Sequence, residues 1–285
     1  MRLRVLARAK INWSLCVCGE RADGYHDLDM LMQSIDLCDD LEFERARFLT
    51  LTVDGQRLPA DGRNLVVQAA NALNDAMGTK HGARITLKKR IPSRAGLGGG
   101  SADCAAALLA LNELWGLRLP MRTLLKIGLS LGADVPFCLT GGLCRAQGVG
   151  EILTPMENPP VVPLVLITPG GGLSTPAVFR AWSESGVSCG KTDTEGLADA
   201  LCRGDLRAAN ALARNDLELP AVALMPKIGA YVKRFTELGA DFVRMSGSGS
   251  TVFAAFGSEK AAQAAVNAVE GSVLTHTSAD GIEFV

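Results

Sequence analysis

The sequence predicts an α+β fold divided between two domains. Its 285 residues are more than one compact core usually holds. Residues 3–17 alternate apolar and polar side chains, which is typical of a β-strand with one face on a core. A group of prolines, from Pro155 to Pro163, then marks a change of domain. We therefore predict domains at residues 1–156 and 157–285.

Composition argues against several classes of function. The formal net charge is −1 and there is no basic tract, so we expect no nucleic acid partner and no membrane partner. No stretch reaches the roughly 20 apolar residues of a membrane span, and the N-terminus lacks the apolar core of a signal peptide. The eight cysteines are scattered without metal-site spacing, as expected of small core residues in a reducing compartment. A cytoplasmic protein is therefore expected.

Local signals place the elements of the first domain. The first strand is longer than the usual ~6 residues, so we expect a bend or a break within it. Its alternation puts Lys10 and Asn12 on one polar face. Asn64 is expected to cap a helix that ends at Gly78. The further elements predicted here are a strand over residues 83–91, a buried helix over 102–115 and a helix over 121–131.

The second domain has the order β-α-β-β-α-β with extra helices, which is the ferredoxin-like pattern. Strands are predicted at residues 161–167, 241–245 and 251–256, with a fourth near the C-terminus. Helices are predicted at residues 176–184, 194–201, 206–215, 221–238 and 259–269.

A glycine-rich loop at residues 92–102 is the clearest sign of function. Its glycines let backbone N–H groups approach a bulky anion, and the N-terminus of the following helix favours phosphate. Ser101 is suited to cap that helix. The alternative is a flexible turn with a helix cap, but such a turn needs fewer glycines. The loop has neither the Gly-Lys-Ser/Thr of a Walker A loop nor the third glycine of a dinucleotide-binding motif.

Two loops together resemble signatures of the GHMP kinases (galactose, homoserine, mevalonate and phosphomevalonate kinases). Pro-x-x-x-Gly-Leu-Gly-x-Gly-Ser-Ala at residues 92–102 resembles their second signature. Met-Ser-Gly-Ser-Gly-Ser-Thr at residues 245–251 resembles the third, and the two stand in the expected order. The resemblance implies a two-domain GHMP kinase fold, with an N-terminal ribosomal protein S5-like domain and a C-terminal ferredoxin-like domain. It also implies ATP with Mg²⁺ as co-substrate.

Further motifs resemble those members of the family that act on a small-molecule cytidine diphosphate substrate. The resemblance spans nearly the whole chain, although residues 183–206 match nothing that we can name. It leads us to expect a monomer or weak dimer. The motifs lie at residues 9–12, 23–26, 32–34, 132–137 and 215–218.

The resemblance implies two catalytic residues. Asp134 would accept the proton of the attacking hydroxyl, and Lys10 would keep Asp134 ionised and stabilise charge on the transferring phosphoryl group. A carboxylate beside a lysine is a weak base, but a loose transition state needs only late proton removal. Without the resemblance, a strand lysine is usually a solvated surface residue, and an aspartate before Val-Pro is often a turn cap.

The remaining site residues are assigned to the two substrates. Tyr25 would stack on the pyrimidine, His26 would read its polar edge, and Phe179 would either close the other face or pack in the core. For Asp103, the choice lies between assisting Mg²⁺ and satisfying the helix N-terminus; we favour the second and expect no dedicated metal site. The substrate set is Asn12, Tyr25, His26, Phe179, Gly247 and Ser248; the ATP set is Asn64, Pro92, Gly96, Leu97, Gly98, Gly99, Gly100, Ser101 and Ala102.

Two alternative functions are weighed against this hypothesis. The first is a GHMP kinase acting on a different alcohol, against which Tyr25 and His26 argue. The second is a catalytically silent binding protein on the same scaffold, against which Lys10, Asp134 and both glycine loops argue.

Overall fold

The computed structural model describes residues 1–22, 24–186 and 192–285. Asp23, part of one quoted motif, lies outside the described residues. Residues 187–191, part of the stretch that matched nothing, also lie outside them.

Two long antiparallel strands organise the first domain. Strand β1 (Arg2–Glu20) pairs along its length with β2 (His26–Ala46). The register of this pair shifts at three places in β1, which confirms the predicted irregularity. Strand β2 is missing from the sequence predictions. Residues 30–35 of β2 are buried on both faces, so its sequence lacks the alternation that reveals a half-buried strand.

The remaining elements of the first domain surround this pair. Strand β4 lies between β2 and β3, and β5 lies between β2 and β6. The Asn64 side chain accepts from the Val66 N–H and Gly78 ends the helix at φ 63°, both as predicted. The elements are β3 (Thr50–Asp54), α1 (Leu65–Met77), β4 (Gly82–Lys88), α2 (Gly99–Trp115), α3 (Met121–Leu131), α4 (Val135–Thr140), β5 (Leu143–Gly148) and β6 (Ile152–Pro155).

Helix α2 begins earlier than predicted. Gly98, at φ 68°, occupies the N-cap position and no side chain caps the helix. The prediction that Ser101 caps α2 is therefore wrong, because the last residues of the glycine loop already form the first helical turn. Most of α2 is buried, as its apolar circumference predicts. Within the described ranges, no helix is long and apolar enough to cross a membrane.

The second domain contains a four-stranded sheet with helices. Its strand order, β10-β7-β9-β8, together with the element order confirms the ferredoxin-like pattern. Strand β10 also pairs with β2, and β11 pairs with β1, so the two sheets are joined. The elements are β7 (Pro163–Ile167), α5 (Thr175–Ser185), α6 (Thr194–Cys202), α7 (Leu206–Leu212), α8 (Glu218–Leu224), α9 (Lys227–Glu237), β8 (Phe242–Met245), β9 (Val252–Ala255), α10 (Glu259–Ala268), β10 (Val273–Ser278) and β11 (Ile282–Phe284).

Two predicted helices of this domain are wrong in extent. The helix predicted over residues 221–238 is two helices, α8 and α9, separated at Met225 and Pro226. Proline has no N–H and fixes its own φ, so it starts α9 rather than continuing α8. Helix α7 ends at Leu212, because the residues after it turn to bridge β1 at Leu15.

The two domains share apolar packing. The Trp13 ring of β1 meets Phe242 edge-on at 4.8 Å and Phe253 at 5.6 Å between ring centroids. All three side chains are fully buried. Edge-to-face aromatic contacts of this kind add to the free energy of apolar burial. The first strand is therefore anchored in the second domain as well as in its own.

Candidate active site

A cleft of about 1290 Å³ is lined by residues of both domains. It contains every predicted site residue except Leu97 and Ala102, which are buried beneath the glycine loop. The predicted residues that line it are Lys10, Asn12, Tyr25, His26, Asn64, Pro92, Gly96, Gly98, Gly99, Gly100, Ser101, Asp134, Phe179, Gly247 and Ser248.

Lys10 and Asp134 face each other in this cleft. The Lys10 Nζ lies 3.5 Å from Asp134 Oδ2 and donates to Asn12 Oδ1 at 2.7 Å. Lys10 is 4% exposed, so the polar face of β1 is covered rather than solvated. Asp134 occupies the N-cap position of α4, but its side chain makes no capping hydrogen bond and stays 34% exposed. The carboxylate is thus available to a substrate in the cleft.

The two glycine loops, one from each domain, touch beside Lys10. The Ser246 hydroxyl donates to the Gly96 carbonyl at 2.9 Å, and the Thr251 N–H donates to the Ala95 carbonyl at 3.1 Å. A Cβ on Gly96 would lie 2.1 Å from the Ser246 carbonyl oxygen. A Cβ on Gly247 would lie 3.3 Å from Lys10 Nζ. Only glycine at position 96 allows the two loops to lie this close to each other.

A buried ion cluster lies under the first glycine loop. Lys89 Nζ pairs with Asp39 and, at 2.8 Å, with Asp103 Oδ2. Burial opposes the charged ammonium, but the two carboxylates outweigh it and raise the pKa of Lys89. Burial also raises the pKa of Asp103 well above its usual value. Lys89 lines the cleft, and its Nζ would lie 2.9 Å from a Cβ on Gly99.

This cluster corrects the interpretation of Asp103. The residue lies beyond the first turn of α2, since the helix starts at Gly99, and it pairs with Lys89 instead of the helix N-terminus. Lys89 is not among the site residues predicted from the sequence. A buried lysine following a strand is a weak signal by itself, and its partner Asp39 is 50 positions away.

Two aromatic side chains of α5 pack against His26, which lines the same cleft. The His26 ring stacks on Phe179 at 4.8 Å between centroids and meets Trp182 edge-on at 5.4 Å. His26 Nε2 lies 3.3 Å from Ser183 Oγ. The three partners are spaced i, i+3, i+4 on α5, which puts them on one helix face. Tyr25 is 64% exposed beside this cluster. Trp182 was missed, although its spacing from Phe179 was a usable signal.

Two family models match the chain, the GHMP kinases N terminal domain over residues 64–142 and the GHMP kinases C terminal over residues 197–274. The chain belongs to the GHMP kinases. It is therefore a kinase with their α+β fold, and ATP is the co-substrate that this family implies. The resemblance inferred from the two glycine loops is confirmed.

Proteins similar to this chain over most of its length show to which group of the GHMP kinases it belongs. A protein of Pelotomaculum thermopropionicum named 4-diphosphocytidyl-2-C-methyl-D-erythritol kinase is 45% identical over 89% of this chain and 88% of its own. A protein of Paramagnetospirillum magneticum with the same name is 43% identical over 91% of this chain and 90% of its own. A crystal structure of 4-(cytidine 5'-diphospho)-2C-methyl-D-erythritol kinase is 37% identical, covers 96% of this chain and 98% of its own, and superposes with a TM-score of 0.83. Within the GHMP kinases, the chain thus falls in the family of these enzymes.

More distant structures share the fold alone. A homoserine kinase from Cytophaga hutchinsonii is 21% identical, covers 100% of this chain and 97% of its own, and superposes with a TM-score of 0.75.

Proposed function

We propose that the protein transfers the γ-phosphoryl group of ATP to the 2-hydroxyl of 4-diphosphocytidyl-2-C-methyl-D-erythritol, in isoprenoid precursor synthesis by the non-mevalonate route. The observation that carries the proposal is the Lys10–Asp134 pair, 3.5 Å apart where the two glycine loops meet. The relatives' names support the choice of substrate.

The transfer asks the protein for positioning and charge stabilisation. The substrate hydroxyl oxygen bonds to the γ-phosphorus as the bond from phosphorus to the β–γ bridging oxygen breaks, and ADP leaves. The hydroxyl proton passes to the Asp134 carboxylate. Lys10, held by Asn12, stabilises negative charge on the transferring group.

The two substrates would occupy different parts of the cleft. Tyr25, His26 and Phe179 offer stacking faces and a ring nitrogen to the cytosine. Gly247 adjoins Lys10, where the alcohol reacts, and Ser248 follows it in the cleft. The residues proposed for ATP are Asn64, Pro92, Gly96, Leu97, Gly98, Gly99, Gly100, Ser101 and Ala102. Leu97 and Ala102 contribute through the backbone conformation of the loop, since their side chains are buried.

Mg²⁺ would accompany ATP. In the part of the chain that the structure describes, no group of three or more His, Cys, Asp or Glu side chains could hold a metal ion. Asp103 lines the cleft but is paired with Lys89. We therefore propose that the ion is held chiefly by the phosphates, whose charge it neutralises.

ADP release tests the substrate assignment. The protein would be assayed with ATP, Mg²⁺ and the cytidine substrate, with homoserine, mevalonate and galactose as controls. Turnover confined to the cytidine substrate is the expected result. If the protein phosphorylated only one of the control alcohols, it would still be a kinase but the cytidine site would be rejected. Whether cytidine nucleotides protect the protein against thermal unfolding distinguishes these two outcomes independently. No turnover of any alcohol by folded protein would favour the silent binding protein.

Asp134→Asn tests the proposed base. The amide keeps the size of the side chain but cannot accept the proton, so turnover should fall about 10²–10⁴-fold, the usual range for general-base catalysis. Undiminished turnover would remove Asp134 as the base. The domain boundary at residue 156, the cytoplasmic location, the absence of a nucleic acid partner and the monomer or weak dimer stay predictions.

A further inference from the structure

The segment 214–218, which follows α7 and ends at the first residue of α8, hydrogen-bonds to β1 on one side. The Leu15 N–H donates to the Arg214 carbonyl at 2.8 Å, and the Asp216 N–H donates to the Leu15 carbonyl at 2.9 Å. The Val17 N–H donates to Asp216 Oδ2 at 2.8 Å. These bonds attach the segment to the same strand that carries Lys10.

On its other side the segment holds the second glycine loop. Asn215 Nδ2 donates to the Met245 carbonyl at 2.7 Å and to the Gly247 carbonyl at 2.8 Å. Glu218 Oε2 accepts from the Met245 N–H at 2.7 Å. Asn215 Oδ1 accepts from the Leu217 N–H at 3.0 Å, so both ends of the amide are used. Gly247 has φ 56°, in the left-handed region that favours glycine.

We propose that Asn215 is a positioning residue that sets the place of Gly247 relative to Lys10. Gly247 lies close enough to Lys10 that an added Cβ would be 3.3 Å from its Nζ and 3.4 Å from Asn12 Oδ1. The strand bearing the lysine and the loop facing it come from different domains, and Asn215 lies on the segment that bonds to both. The inference rests on the proposed function, because a displaced Gly247 would impair phosphoryl transfer between the bound substrates.

The chemistry of the amide explains why asparagine stands here. Two carbonyl oxygens converge on Nδ2, and each needs a donor. A carboxylate of the same shape has no donor and would repel both carbonyls. Asn215→Asp therefore releases the loop with little change in volume. Asn215→Ser also loses both bonds, because its hydroxyl oxygen lies one bond closer to the backbone than Nδ2, but it adds no repelling charge and should be intermediate.

Kinetics of these variants are compared with Asn267→Asp, an exposed site on α10. We expect kcat to fall on the order of 10²-fold in Asn215→Asp, with the KM of each substrate within about twofold, since an error of ~1 Å in positioning can cost that much. Asn215→Ser should be intermediate and Asn267→Asp unchanged. Unchanged kcat in folded Asn215→Asp and Asn215→Ser would overturn the proposal.

Hydrogen exchange of the loop, measured by mass spectrometry, does not depend on turnover. Amides in residues 245–251 should exchange faster in Asn215→Asp or Asn215→Ser than in wild type, while those in residues 252–255 stay the same. Equal exchange in the loop would overturn the proposal even if the wild type turned over no cytidine substrate. Inactive wild type with faster exchange in the variants would count against the proposed function alone.

Discussion

Lys10 passes Gly98 at a distance that only glycine permits. A Cβ on Gly98 would lie 2.9 Å from Lys10 Cγ and 3.3 Å from Lys10 Cε. The Lys10 N–H also donates to the Leu97 carbonyl at 3.0 Å. The aliphatic part of the Lys10 side chain thus packs against the first glycine loop. The position of its ammonium group near Asp134 depends on the absence of a side chain at Gly98.

Gly98→Ala should reduce both turnover and stability. The new methyl group displaces the Lys10 stem, and displacement of the ammonium by ~1 Å can cost on the order of 10²-fold in kcat. The positive φ adds a strain of about 1–3 kcal/mol. The control is Gly116→Ala at the C-terminal end of the same helix, where φ is 69° and a Cβ would meet nothing within 4 Å. Equal kcat in the two variants would contradict the argument.

Phe179→Ala should weaken binding of the cytidine substrate and leave binding of ATP unaffected. Base–aromatic stacking contributes about 1–3 kcal/mol, so KM for the cytidine substrate should rise about 10-fold or more. The loss would include the support that Phe179 gives to the His26 ring. Phe48→Ala, at an exposed site outside the cleft, serves as control. Steady-state kinetics with each substrate varied in turn decide the matter, and an equal rise in both KM values would reject a cytidine-specific role.

Parts of this structure were predictable because their causes are local. Period-two alternation placed Lys10 and Asn12 on one face, and their side chains are hydrogen-bonded. Asn64 and Gly78 bound α1 because cap residues act on their own helix ends. The glycine content of the two loops indicated close approach, and the loops do contact each other.

Other parts depend on contacts that sequence patterns do not reveal. Helix α2 starts at Gly99, directly after the part of the loop that hydrogen-bonds to β1. The local preference of Ser101 for an N-cap position could not reveal this contact. Strand β2 gave no alternation because its middle is buried on both faces. The pairing of Lys89 with two aspartates required the folded chain.

Lys89→Met should destabilise the protein strongly. Removing the ammonium leaves Asp39 and Asp103 buried without their cation, and breaking a buried ion pair in this way costs about 3–5 kcal/mol. Lys88→Met changes the neighbouring exposed lysine and should alter the unfolding free energy by no more than about 0.5 kcal/mol. Urea unfolding of the two variants gives the comparison. A difference below about 1 kcal/mol between them would mean that the cluster contributes little.

Glu218→Gln should change how stability depends on pH. Burial raises the pKa of Glu218 above its ordinary value, although the Met245 N–H and Arg244 act in the opposite direction. The folded state therefore holds this proton more tightly than the unfolded chain does. The contribution of Glu218 to the unfolding free energy must then decline as pH rises from the ordinary glutamate pKa through the raised one.

The glutamine variant still offers a carbonyl oxygen to the Met245 N–H but does not titrate. Its unfolding free energy minus that of the wild type should therefore increase as pH rises above the ordinary glutamate pKa of 4.5 and level off above the raised pKa. The attraction of Arg244 for the ionised carboxylate is already part of the folded-state pKa of Glu218, so it adds no separate pH dependence. Glu270→Gln, the same substitution at an exposed site, is the matched control. Urea unfolding at a series of pH values measures the slope, and a flat difference for Glu218→Gln would show that its carboxylate is not destabilised by burial.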